Sequence, residues 1–326
     1  MSAHPTTDRR NSALPLPLVR FLAWLPDRID RRVRIVAWLS FLAEVLIIAT
    51  GGAVRLTGSG LGCPTWPTCT ADSLVNTQEM GIHGVIEFGN RTLTGLVGIL
   101  ALAVVVLVWR MRRERRDLFV LALIVLGGVV AQAVVGGITV LTGLNPFIVG
   151  FHYIASVVLV SVSAAFLVRM NTAPGARTLA VPRWYRIATH VTTLVLAVTI
   201  VFGVLTTGAG PHSGDDDAVR SGFDAQVLEH VHSWPGYTLF ALTLVLAVVA
   251  WSRDLPVKRW VTALLAVEVV QIAVGLYQAR NGLPEWAVGT HMVLAALAAA
   301  TMVVVVLKQK TPVAAPARLM AQTARS

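Results

Sequence analysis

Residues 143–152 read Gly-Leu-Asn-Pro-Phe-Ile-Val-Gly-Phe-His, and residues 282–291 read Gly-Leu-Pro-Glu-Trp-Ala-Val-Gly-Thr-His. In each stretch a histidine lies nine residues after the glycine of a Gly-Leu pair, and a second glycine, Gly150 or Gly289, stands two residues before it. Upstream, Thr57-Gly58-Ser59-Gly60 matches Thr207-Gly208-Ala209-Gly210, and Glu87-Phe88-Gly89-Asn90 is in phase with Glu229-His230-Val231-His232. Four matches in one order indicate an internal duplication.

The repeats are set in a chain dominated by long apolar runs. Of its 326 residues, 55% are hydrophobic and 13% charged, and mean hydropathy is +0.70; soluble domains carry about 25% charged residues. A spanning helix needs roughly 20 mostly apolar residues. Eight such segments are expected, near 35–54, 84–108, 118–141, 148–168, 187–207, 227–251, 259–278 and 287–307. Four spans per copy is an even number, so both copies keep one orientation and form a parallel repeat about an axis along the membrane normal. The expected fold class is all-α and integral to the membrane, with two duplicated four-helix bundles side by side and cofactor sites inside them.

The net charge of +10 does not point to nucleic acid, because the basic residues cluster in short loops between apolar runs. Arg55, Arg91, Arg220 and Arg280 fall on one side of the membrane; the remaining 23 of the 27 Lys and Arg fall on the other, together with both termini. The positive-inside rule makes that side cytoplasmic. The plan is an N-terminal tail over 1–34, a first bundle over 35–169, a linker over 170–186, a second bundle over 187–308 and a disordered tail over 309–326. The polar, arginine-rich first 34 residues give no sign of a cleavable signal peptide.

The even-numbered spans begin outside, and near those ends stand Glu87, His152, Glu229 with His232, and His291. A carboxylate within the apolar zone is expected to face a partner or a cavity, and Glu229 and His232, three apart, share a helix face. Two neutral imidazoles from different helices at one depth, His232 and His291, are suited to be axial ligands of a haem iron. A single membrane histidine can equally be a helix-to-helix hydrogen bond, but repetition in both halves favours the ligand reading. His230, two residues from His232, must point elsewhere. The first half departs from the second: Asn90, a poor iron ligand, stands where the repeat calls for a histidine opposite His152. Such a site would hold iron through one imidazole, leaving a position for reaction chemistry. His83, one turn before Glu87, is open between a substitute iron ligand, a haem-propionate partner and a surface residue, with the last two favoured. Arg55 and Arg91, at the outer boundary, suit either propionate pairing or snorkelling to the interface. Cys63 and Cys69 lie in the first outer loop, on the oxidising side where a disulfide is permitted, and Trp66 between them either lines the mouth of the first bundle or anchors at the interface. Walker, Rossmann, zincin and Asp-rich prenyltransferase motifs are absent.

From about residue 35 to 308 this pattern resembles heme A synthase of the bacterial type. The resemblance rests on the duplicated four-helix plan, the cysteine pair, the three histidines, and Glu87-Phe88-Gly89-Asn90-Arg91, which looks like that family's Glu-x-x-His-Arg signature with the histidine replaced. It implies an oxidoreductase that oxidises the C8 methyl of haem O to a formyl group, giving haem A. It implies haem b held between His232 and His291, haem O as substrate in the first bundle with His152 as iron ligand and Glu87 catalytic, and a disulfide between Cys63 and Cys69. Asn90 then points either to a five-coordinate substrate iron or to a weakened site, and the first is preferred because Glu87 and His152 are both retained. A multi-pass protein of the plasma membrane is expected, with lipid around it and, by pathway logic, contact with a haem O synthase or with cytochrome oxidase assembly. Two other readings compete: a non-enzymatic di-haem electron carrier of the b type, and a duplicated small-solute transporter using its carboxylates for proton coupling.

Overall fold

A computed structural model describes residues 16–313. A short helix α1 (Leu16–Trp24) precedes eight long ones: α2 (Arg31–Leu56), α3 (Gly81–Val108), α4 (Arg116–Leu141), α5 (Pro146–Met170), α6 (Arg183–Ala209), α7 (Ala225–Ser252), α8 (Lys258–Arg280) and α9 (Glu285–Lys308). Those eight are each long and apolar enough to cross a bilayer, and the chain is an all-α, multi-pass membrane protein. The helices overrun the expected spans by a few residues at most ends. Apolarity sets the length buried in lipid, whereas backbone hydrogen bonding carries the helix on into the interface, where arginine head groups reach water.

Strand β1 (Arg177–Leu179) pairs antiparallel with β2 (Lys310–Pro312). Residues 309–313 therefore depart from the expected disordered tail, because the backbone of the linker supplies the hydrogen bonds they need. The rest of that tail, 314–326, and residues 1–15 lie outside the described residues.

Within each half, neighbours in sequence pack as antiparallel pairs: α2 with α3, α4 with α5, α6 with α7, α8 with α9. The halves meet through α5 against α9, with α2 lying on α9 and α6 on α5. The repeated glycines explain that seam. A Cβ on Gly150 of α5 would lie 2.6 Å from the Val204 side chain of α6, and one on Gly289 of α9 would lie 3.3 Å from Leu56 of α2. Small residues here let the helices approach closely.

The Gly-Leu repeats are turns. Gly143 and Leu144 have φ of 59° and 58°, Gly282 and Leu283 of 72° and 58°. Leu144 N–H reaches back to Thr139 C=O at 2.8 Å, and Leu283 N–H to Gln278 C=O at 2.9 Å; both are helix-ending bonds of the Schellman kind. Each turn sends the chain straight into the next helix, which carries its histidine two turns in.

Packing is uneven along the bundle axis. At the arginine-rich end each half has a filled core: Val33, Val108, Met111 and Leu118 in the first, Tyr185, Ala250, Val257 and Val305 in the second. Toward the disulfide end that packing gives way to cavities.

Candidate functional site

The central cavity contains about 1700 Å³ of space not filled by protein, part of it open to solvent. It reaches into both halves, and its lining includes Asn90, His152, His232 and His291. A second cavity, of about 1020 Å³, lies beneath the disulfide loop and is lined by Trp66, Glu87 and Arg91 as well as Asn90 and His152.

In the second half the His232 and His291 rings face each other with centroids 6.2 Å apart and planes at 77°. Two metal–imidazole bonds of about 2 Å, with half a ring beyond each, span about 6 Å. The gap therefore fits one iron between the rings. His232 Nδ1 lies 3.0 Å from the Thr199 carbonyl. That bond calls for a proton on Nδ1, leaving Nε2 as the lone-pair nitrogen. The His291 backbone is fixed by Gln271, whose amide donates to its carbonyl at 3.0 Å. Among the described residues no group of three or more His, Cys, Asp or Glu side chains forms a cage for a bare ion. Two imidazoles across a gap suit a metal that brings its own equatorial ligands.

Glycines set the histidine rings in place. A Cβ on Gly203 of α6 would lie 2.8 Å from His232 Cε1, and one on Gly275 of α8 would lie 3.0 Å from His291 Cε1. The first half repeats the pattern less tightly: Gly136 of α4 stands 3.4 Å from His152 Cε1 by the same measure, and Gly51 of α2 stands 3.9 Å from Asn90 Nδ2. Gln132 donates to the His152 carbonyl at 2.7 Å, as Gln271 does to that of His291. His152 Nδ1 has no hydrogen-bond partner among the described residues. Asn90 accepts from Thr50 Oγ1 at 2.8 Å, which anchors the amide without using up the cavity.

Glu87 is 5% exposed and fully engaged. One oxygen accepts from the Cys63 backbone N–H, and the other pairs with Arg91 at 2.5 Å. Arg91 also donates to the carbonyls of Cys63 and Thr65 at 2.9 and 2.8 Å. Cys63 and Cys69 form a disulfide and are both fully buried. The pair thus clamps the loop that lays Trp66 over Gly137 of α4, where an added Cβ would fall 2.4 Å from the indole.

The other candidates are engaged elsewhere or exposed. Arg55 lines both cavities but donates to the carbonyls of His212 at 2.8 Å and Thr207 at 3.0 Å, tying the outer loops of the two halves together. His83 is exposed and bonds Ser59 at 2.9 Å. Glu229 and His230 are exposed, so the Glu-x-x-His spacing does not give the second half a buried counterpart of Glu87. Eight residues escaped sequence reasoning: Gly136, Gly203 and Gly275, which face rings, Gly51, which faces the Asn90 amide, Gln132, Gln271, and two buried carboxylates, Glu44 and Glu268. The carboxylates were findable, since each interrupts an apolar run. The glycines were not, because a glycine facing a ring and a glycine facing lipid look alike in one dimension.

The sequence model of the COX15-CtaA family, described as cytochrome oxidase assembly protein, matches residues 34–212, more than half of the chain. Among curated relatives, a protein of Lysinibacillus sphaericus named heme A synthase is 36% identical over 141 residues, 42% of this chain and 45% of its own length. One of the same name from Staphylococcus epidermidis is 25% identical over 256 residues, 73% of this chain and 83% of its own. One from Bacillus cereus is 32% identical over 124 residues, 37% of this chain and 39% of its own. Matches to the first and third thus span less than half of those relatives, and the second spans most of its length. With more than half of its length matched by the family model, the chain belongs to the COX15-CtaA family, whose curated relatives carry the name heme A synthase.

Proposed function

We propose that the protein acts as a heme A synthase, an oxidoreductase converting haem O to haem A, and that its two halves divide the work. The C-terminal half would hold haem b between His232 and His291 as a resident electron-transferring group. The N-terminal half would take haem O, with His152 on the iron and Asn90 leaving the opposite position free. The observation that carries this is the 6.2 Å separation of the His232 and His291 rings across a cavity continuous with His152. When bound, haem supplies the redox chemistry.

The chain's own residues supply placement and dryness. Glu87 and Arg91 clamp the disulfide loop, so that Trp66 roofs the first cavity against water. Glu87 accepts from the backbone of that loop and lines the cavity beneath it, and is the candidate to hold or move a proton beside the methyl group; its charge is balanced by Arg91 meanwhile. Asn90, held by Thr50, would present an amide where the second half has an imidazole. We place both termini in the cytoplasm and the protein in the plasma membrane, on the asymmetry of its Lys and Arg.

Haem extraction from purified protein, expressed with and without a haem O supply, tests the reading. Haem A appearing only with haem O is the expected result. Haem b alone under both conditions would favour the di-haem carrier, and a protein with no Soret band the transporter.

A further inference from the structure

Glu44 sits in the middle of α2, 3% exposed, and none of the ion pairs among the described residues involves it. Its partners are hydroxyls. Ser163 Oγ of α5 donates to Oε1 at 2.7 Å, and Ser40 Oγ, one turn back on α2, reaches the same oxygen at 3.5 Å. Oε2 has no partner, and Glu44 lines the central cavity. Ser40 and Ser163 line a different and smaller cavity on the arginine-rich side, about 260 Å³ by the same measure, between Ala37, Ala101 and Phe166. Glu44 therefore stands between two cavities, with hydroxyls on one side and an unsatisfied oxygen on the other.

We propose that Glu44 carries protons between the arginine-rich end of the first bundle and the central cavity, with Ser40 and Ser163 as relay hydroxyls. An arginine or lysine partner could only donate and would hold the carboxylate charged. A hydroxyl both donates and accepts, so it serves the charged and the neutral carboxyl alike and can pass a proton in either direction. The path is the small cavity, then Ser163 with Ser40 beside it, then Glu44, then an acceptor in the central cavity. The need for it rests on the functional reading above: each electron entering a water-poor bundle adds a charge that a following proton cancels.

The other ionisable groups facing this cavity are Arg55 of α2, His152 and Tyr153 of α5, His232 of α7, Glu268 of α8 and His291 of α9; α3, α4 and α6 face it with none. Glu268 is the natural control. It too is buried with one free oxygen, but its partner is the single hydroxyl of Thr243, at 2.9 Å, and neither residue lines the small cavity.

The test is electrochemical reduction of the haem-loaded, full-length protein, followed by infrared difference spectroscopy and by proton uptake with a pH-indicator dye. The unaltered protein should show a carboxyl band that Glu44→Gln removes and Glu268→Gln leaves. Glu44→Gln should slow uptake at least about tenfold, with Glu44→Asp recovering part of it. Ser163→Ala keeps the carboxyl and removes a relay, so it should slow uptake severalfold, and it decides the matter where Glu44→Gln loses haem. Unchanged uptake in Ser163→Ala, or in haem-loaded Glu44→Gln, would overturn the relay. Haem-free unaltered protein would instead sink the functional reading on which it rests.

Discussion

The two halves set side chains into the cavity in parallel ways, with an amide in the first where the second has an imidazole. In each, a glycine on the preceding helix faces a side chain that points into the cavity, a glutamine holds the later histidine's backbone, and a Gly-Leu turn sets that histidine's depth. The second half sets two imidazoles 6.2 Å apart, close against Gly203 and Gly275. The first sets an imidazole and an amide, with looser contacts at Gly136 and Gly51, beneath a loop clamped by Glu87 and Arg91. A closed pair of strong ligands suits electron transfer, and an incomplete pair suits chemistry on what is bound. One position, Asn90 against His232, carries most of the difference.

The largest expected effect separates the halves outright. Glu87→Ala should abolish haem A formation while the b-type spectrum of the second half stays intact; normal product from that variant would remove Glu87 from the reaction. Reciprocally, His291→Ala should lower bound haem b about tenfold or more, read as pyridine haemochrome per protein.

Asn90→His would make the halves alike. The expected outcome is a six-coordinate, low-spin substrate haem and activity down about tenfold, as the free position is filled. A spectrum that stays high-spin would mean that positions 90 and 152 do not share one iron.

The glycines should grade the two sites. Alanine at Gly203 or Gly275, where the new Cβ would meet a ring at 2.8 or 3.0 Å, should turn the imidazole and cost severalfold in haem b retention. At Gly136, at 3.4 Å, the effect should be smaller, and at Gly51, at 3.9 Å, close to nothing. An inverted order would show that the ring positions are set by something else.

The smallest effect concerns the outer loop of the second half that Arg55 holds. His212, whose carbonyl accepts from Arg55, is pushed below its ordinary value of 6.5 by desolvation, with Glu285 raising it and Arg55 lowering it. The folded chain thus resists protonating it. The stability this gives is fully present above 6.5 and is lost as pH falls through the lower folded-state value. Thermal unfolding of the purified protein, followed from about pH 7.5 to 5.5, should show a small loss that His212→Asn removes.

Much of this was legible in one dimension. The eight spans follow from apolar length alone, since the bilayer fixes how many residues must be shielded. The four site residues Glu87, His152, His232 and His291 could be picked out because a titratable group in an apolar run is costly enough to need a reason. Spacing paired them by depth. It failed for Glu229, which matches Glu87 in phase yet is exposed. Three residues of separation place two side chains on one helix face but do not say whether that face turns inward.

The sequence by itself determined which segments lie in the membrane and which few polar groups lie there with them, because hydrophobicity and charge act residue by residue. Only the tertiary structure decided that His232 and His291 meet across an iron-sized gap, that Arg91 serves Glu87 and the cysteine loop, that Arg55 binds the halves together, and that Glu44 separates two cavities. Each of these depends on how neighbouring helices are rotated and how closely glycines let them approach, and those quantities are settled by packing between segments distant in the chain.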